Sequence, residues 1–205
     1  MDDLGLDLDE ASHLEVAKRH LVTFYESKDL SGAVWHFAGT SEFSGSEMAA
    51  RTGSLAIRYV DAASITLSKP VDANAAQDKA YRAVDGDPMT SWSPRDTPPY
   101  WLSVDLCGRY LLTRWVVSLQ GTGPLMGGIA NSPLNAADFS LQISEDGDDW
   151  CDAETVTGNT ASITDRDLDP VTARYVRLYV TRPTSLDLNR NLVVHEFEVH
   201  GLPCE

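Results

Sequence analysis

Between Ser64 and Gly201 the chain keeps repeating one pattern: a short run of β-branched and aromatic residues, then a turn. The runs are SITLSKPV (Ser64–Val71), WLSVDL (Trp101–Leu106), TRWVVSLQ (Thr113–Gln120), DFSLQIS (Asp138–Ser144), ARYVRLYVT (Ala173–Thr181) and LVVHEFEVHG (Leu192–Gly201). Side chains alternate between the faces of a strand. In YVRLYV this sets Tyr175, Arg177 and Tyr179 on one face and Val176, Leu178 and Val180 on the other. Turn chemistry separates the runs, as DGDP, SPRDTPP, GTGPLMGG, EDGDDW and DLDP. Many short strands punctuated by Gly, Pro and Asp predict an all-β sandwich.

The texture differs before about Tyr59, which sets the expected domains at 1–59, an extension, and 60–205, the sandwich. The extension opens on an acidic tail, MDDLGLDLDE. In Ser12–Lys28, Ser12 and Glu15 fit a capping box, and Leu14, Ala17, Leu21 and Phe24 recur at helical steps, so this stretch reads as an amphipathic helix. AVWHFA (Ala33–Ala38) reads as a short strand, and TSEFSGSEMAARTGS (Thr40–Ser54) as irregular. One helix carries little core, so the extension is expected to pack on the sandwich or on a partner.

Composition narrows the partners. The net charge of −15 repels phosphate backbones, which argues against nucleic acid. No apolar run is long enough to enter a bilayer as a spanning helix, and the acidic start lacks the basic and apolar regions of a signal peptide. The three cysteines, Cys107, Cys151 and Cys204, are too few and too widely spaced for a disulfide framework or a zinc site, so buried free thiols are expected.

Five motifs, in order, resemble the discoidin family, which includes the coagulation factor C-type domains and the family 32 carbohydrate-binding modules. They are SKPVDANAAQDKAYRAVDGDPMTSW with its Asp-Gly-x-x-x-Thr-x-Trp loop, YWLSVDLCGRY, FSLQISEDGDDW, ARYVRLYV and VVHEFEVHG. The match spans roughly Val60 to Gly201. The resemblance implies a galactose-binding-like jelly-roll β-sandwich. Two departures stand out: Cys107 occupies a place where the family usually has glycine, and no early cysteine exists to pair with Cys204 in a terminal disulfide.

The loop RAVDGDPMT can supply hard oxygen ligands of the kind calcium takes, about six to eight of them. Asp85 offers a carboxylate, Arg82 and Asp87 offer backbone carbonyls, and Thr90 offers a carbonyl and a hydroxyl. Read alone, the stretch is better taken as an Asp-Gly turn capped by Asp87 and Thr90. The resemblance implies a structural Ca2+ here, with Glu196 closing the cage from the last strand beside the carbonyl of His195. The spacing of His195 and His200 on a strand puts them on opposite sides and does not suit zinc.

The resemblance also implies a glycan site in loops at one end of the sandwich. SPRDTPPY offers Arg95, Asp96 and Tyr100, and TRPTSLDLNRN offers Arg182, Asn189, Arg190 and Asn191. Trp92, Trp101 and Trp150 sit in framework motifs and are expected in the core, while the face of Trp115 is ambiguous. The hairpin SEDGDDW reads as a turn rather than an ion site. The glycine-rich insertion Gly121–Asn135 exposes Leu125, Met126 and Ile129 for contact with a neighbour. No nucleophile, base and orienting acid converge in the sequence, so the chain reads as a non-enzyme. The expectation is a glycan-binding module on the cell exterior or a virion surface, displayed by protein neighbours through the extension and the 121–135 loop. The alternatives are a purely structural subunit of such an assembly, or an accessory module of a secreted glycosidase.

Overall fold

The computed structural model describes residues 13–17, 20–38, 40–42, 52–60, 63–123, 128–186 and 191–204. The acidic tail, Leu125, Met126, Asn189 and Arg190 lie outside the described residues. The chain divides into two compact units, Met1–Ala62 and Ala63–Glu205.

The N-terminal unit is built of strands. β1 (His13–Glu15) pairs with β4 (Thr40–Glu42), and β2 (His20–Tyr25) lies between β3 (Val34–Phe37) and β5 (Ser54–Tyr59). The helix expected over Ser12–Lys28 is therefore replaced by β1 and β2, and the irregular stretch from Thr40 begins with β4. The reason lies in composition. Val22, Thr23, Phe24 and Tyr25 are β-branched or aromatic and favour a pleated surface. As a central strand β2 buries both faces, with Leu21, Val22, Thr23 and Phe24 each under a tenth exposed. Two-sided burial yields a continuous apolar run, whose spacing mimics a helical stripe. Val16, Val22 and Phe24 pack with Leu14, Trp35, Phe37 and Leu55 in the small core of this unit.

The C-terminal unit is a six-stranded antiparallel assembly. Its elements are β6 (Val71–Ala73), a 3-10 helix (Gln77–Ala83), β7 (Tyr100–Leu119), β8 (Asp138–Ser144), β9 (Cys151–Val156), β10 (Ile163–Arg182) and β11 (Val194–Pro203). Two long strands organise it. β7 and β10 pair along most of their length, with register breaks at Asp167/Val171 and Ala173/Tyr175. The first half of β7 also pairs with β6, and its second half with β11. The C-terminal half of β10 carries β8, which carries β9. The two halves of the long strands thus serve two layers that enclose one core, which is the galactose-binding-like β-sandwich.

That core takes Leu102, Val104 and Leu106 from β7, Val176, Leu178 and Val180 from β10, and Phe197 and Val199 from β11. The YVRLYV alternation holds: the three apolar residues are buried and Tyr175, Arg177 and Tyr179 are not. Ser64–Val71 is the exception among the expected strands. Only Val71 enters one; Ile65 N–H and the Thr66 hydroxyl instead donate to the carbonyls of Val199 and Phe197 at 2.8 Å each.

The tryptophans divide differently from expectation. Trp92 and Trp115 are fully buried, and Trp115 meets Phe139 edge-to-face at 5.9 Å. Trp101 and Trp150 are only half-buried, because Arg177 rather than apolar core lies against them. The SEDGDDW hairpin is a turn: Asp146 Oδ1 accepts the N–H groups of Asp148 and Asp149 at 2.9 and 3.0 Å, and Gly147 takes φ 88°. All three cysteines are free, and all are exposed rather than buried, since each sits at a strand terminus or bulge.

Candidate functional site

The 3-10 helix Gln77–Ala83 delivers the chain into the loop Val84–Thr90. Asp85 organises that loop. Its Oδ1 accepts the Asp87 N–H at 2.9 Å, and its Oδ2 accepts the Thr90 hydroxyl at 2.9 Å. The carbonyls of Arg82 and Asp87 lie 3.2 and 3.3 Å from that hydroxyl. Gly86 makes the turn with φ 77°, a left-handed conformation that costs other residues about 1 kcal/mol or more. The Arg82 guanidinium leans over the Tyr81 ring, so this residue offers the loop its carbonyl.

The closing strand meets the loop at a bulge. The β11–β7 register shifts between Val194 and Glu196, at His195. The His195 ring Nδ1–H donates to the Thr90 carbonyl at 2.6 Å; a carbonyl only accepts, so the ring nitrogen carries the proton. Glu196 is half-buried, and its Oε1 is buried without a hydrogen-bond partner. Desolvation pushes its carboxyl up to about 7, the Asp85 and Glu198 charges push the same way, and the Gly86 N–H opposes them. Asp85, already bonded by the Asp87 N–H and the Thr90 hydroxyl, and Glu196 therefore face each other as two carboxylates. Among the described residues no three His, Cys, Asp or Glu side chains gather in a metal-holding group. The donors that do converge are two carboxylates, a hydroxyl and carbonyls, which suits a hard oxygen-seeking cation and not zinc.

The same strand edge positions the expected glycan loops. Trp92 and Val194 exchange backbone hydrogen bonds at 2.9 and 3.0 Å, and Leu192 N–H donates to Pro94 O at 3.2 Å. This brings the Pro94–Pro99 loop beside the segment that enters β11, next to the Asp85 loop. Arg95, Asp96 and Asn191 are exposed there. Arg182 is also exposed and reaches Asp138 Oδ2 at 3.8 Å and Ser185 O at 3.3 Å. Tyr100 is a correction: it is fully buried and its hydroxyl donates to Asp96 O at 2.6 Å, so it shapes the loop from beneath and offers a sugar no ring face. Its place in the Tyr100–Leu102–Val104–Leu106 alternation already pointed inward. In the insertion, Asn135 Oδ1 accepts the Gly121 N–H at 2.9 Å, which ties the two ends together, and Ile129 is 43% exposed.

Fold and loop placement define a galactose-binding-like sandwich with its polar loops and an oxygen-rich turn at one edge. A family model described as the F5/8 type C domain matches residues 64–191. The chain belongs to that family, the discoidin family. No curated protein matches it. Among solved structures it is similar to chitosan-binding module 1 of a chitosanase/glucanase from Paenibacillus sp. IK-5. The identity is 25%, the coverage 68% of this chain and 99% of that one, and the TM-score 0.55. The family 32 carbohydrate-binding module of EndoD from Streptococcus pneumoniae shares 22% identity over 67% of this chain and 98% of its own, with a TM-score of 0.57. A family 32 module from Clostridium perfringens, in complex with GalNAc-β-1,3-galactose, shares 17% over 67% and 99%, with a TM-score of 0.53.

Proposed function

We propose that this chain is a non-catalytic glycan-binding module that holds its ligand in the loops around Arg95, Asp96, Arg182 and Asn191. The observation that carries the reading is the Leu192–Pro94 hydrogen bond, which sets two exposed polar loops side by side. The chitosan-binding and family 32 neighbours support a saccharide as the ligand. We assign a structural Ca2+ to Asp85, Glu196, Thr90 and the carbonyls of Arg82 and Asp87. The orphaned Glu196 Oε1 beside Asp85 supports it. Bound there, the ion would neutralise both carboxylates and tie the loop to β11. The module acts outside the cell, on a secreted protein or a larger surface assembly such as a virion.

A glycan array probed with the full chain, in calcium and in chelator, tests this reading. Selective binding that Arg95→Ala weakens supports it; a folded sample silent under both conditions overturns it. A second reading, a structural subunit, draws on the N-terminal unit: its edge strand β5 exposes Ile57 and Tyr59 at 64% and 57%. Exposed apolar side chains on an open strand edge favour a protein neighbour. In that case the chain would stay silent on glycans and assemble through β5.

A further inference from the structure

The outer face of the β7–β10–β8–β9 layer carries a second set of groups suited to a saccharide, on strands rather than loops. Register places two cross-strand rows there. One runs Trp101–Tyr179–Ser140–Thr155 and the other Ser103–Arg177–Gln142–Asp152. A groove of about 180 Å³ opens along the β8–β9 edge, bounded by Tyr179, Asp138, Gln142, Asp152, Thr155 and Thr157.

Part of the hydrogen-bonding capacity of this groove is unspent. Among the described residues the hydroxyls of Tyr179, Thr155 and Thr157 have no partner, and Asp152 accepts one bond, from Gln142 Nε2 at 2.8 Å. The charges are uneven. Arg177 is held by aromatic rings and Gln142, and Asp138 is occupied by Arg182 and the Gly158 N–H. Asp152 shares its field with the nearby Arg177 but keeps an oxygen to spare, and among the described residues no Lys or Arg side chain lines the groove. An aromatic ring bordered by hydroxyls suits a pyranose, with its apolar face and polar rim. A carboxylate at that rim, on a chain of net charge −15, suits a cationic substituent and repels acidic sugars.

We propose that this groove is a second saccharide site that takes a cationic amino-sugar unit, with the ammonium on Asp152 and the ring against Tyr179. It does not depend on the loop site, and the two are separable by mutation. The test titrates the full chain with hexamers of glucosamine, of N-acetylglucosamine and of glucose, by calorimetry and amide chemical shifts. The glucosamine hexamer binds, the other two bind more weakly, and shifts centre on β8, β9 and Tyr179. Asp152→Asn, which leaves shape unchanged, weakens glucosamine binding by about tenfold, the worth of one charge-assisted hydrogen bond. Thr155→Val with Thr157→Val weakens it further, while Arg95→Ala does not change it. Binding abolished by Arg95→Ala but indifferent to Asp152→Asn overturns the proposal. So does equal affinity for the acetylated hexamer, or no binding by a folded sample.

Discussion

The guanidinium of Arg177 stands 4.1 Å from the ring centre of Trp150, with the rings of Tyr179 and Trp101 at 5.6 and 5.8 Å. Its Nε–H donates to Gln142 Oε1 at 2.7 Å. Desolvation lowers the Arg177 pKa, so the cation sits among rings with part of its hydration lost. In this partly desolvated setting the cation–π attraction is about 1–2 kcal/mol. Trp150 in turn donates its indole N–H to Gly147 O at 3.0 Å, so this stack fastens the hairpin to the sheet.

Arg177→Ala is expected to cost about 2 kcal/mol. Arg177→Lys is expected to recover less than half, because an ammonium keeps the charge but loses the planar stack. Urea denaturation measures both, and near-UV circular dichroism reports the loosened Trp150. A lysine variant as stable as the native chain would show that charge alone holds the hairpin.

Cys107 has φ 62°, the left-handed region where a side chain is strained. The strain marks the place where β7 departs from its ladder with β10, and Asp105 Oδ1 holds the Cys107 N–H at 2.8 Å. Glycine relieves the strain but adds freedom to the unfolded chain. Cys107→Gly is expected to stabilise by about 0.5–1 kcal/mol, and Cys107→Val to destabilise by at least as much. Thermal unfolding under reducing conditions separates the two.

How much of this was legible depends on which residues are asked. The alternation in YVRLYV separated the residues that prove buried, Val176, Leu178 and Val180, from those that do not. The same period applied to WLSVDL would set Trp101 on the side of Ser103 and Asp105, away from the buried Leu102, Val104 and Leu106. Reading Trp101 and Trp150 as core came from their motifs, which carry no information about the face they occupy. β2 was illegible for a physical reason: a strand buried on both sides loses its period of two. The convergence of Asp85 with Glu196 joins distant segments, so it was reached through family resemblance alone. Cys107 was visible as a departure from glycine, and its φ supplies the cause.

Glu196 gives the assigned ion a pH signature. Its folded pKa is about 7 against an ordinary value of 4.5, so between these the folded chain holds a proton that the unfolded chain releases. In chelator this group's stabilising contribution is full below about pH 4.5 and is lost as pH rises through about 7. Glu196→Gln, which cannot ionise, is therefore expected to melt higher than the native chain in chelator above pH 7, with the gap closing on acidification. Calcium should raise the melting temperature of the native chain and leave Glu196→Gln and Asp85→Ala nearly unmoved. A rise of equal size in all three places the ion elsewhere.

Gly123 offers an independent handle on the same loop. A Cβ there would lie 2.5 Å from His195 Nε2, on a ring whose Nδ1–H is committed to the Thr90 carbonyl. The backbone at Gly123, φ −63° and ψ 154°, accepts any residue, so the penalty of Gly123→Ala is steric: it falls mainly on His195, with the Gln120 carbonyl a tighter-than-usual neighbour at 3.2 Å. His195 is 6% exposed, so its ring has little room to retreat. Displacing it would remove the bond that holds the Thr90 carbonyl in place and loosen the Asp85 loop without changing any side chain of the cage. Gly123→Ala is expected to cost about 1–2 kcal/mol and to weaken calcium binding. Gly123→Ala combined with His195→Ala, which removes the clash, should show a positive coupling in a double-mutant cycle. Additive losses would mean that the methyl group is accommodated without moving the ring.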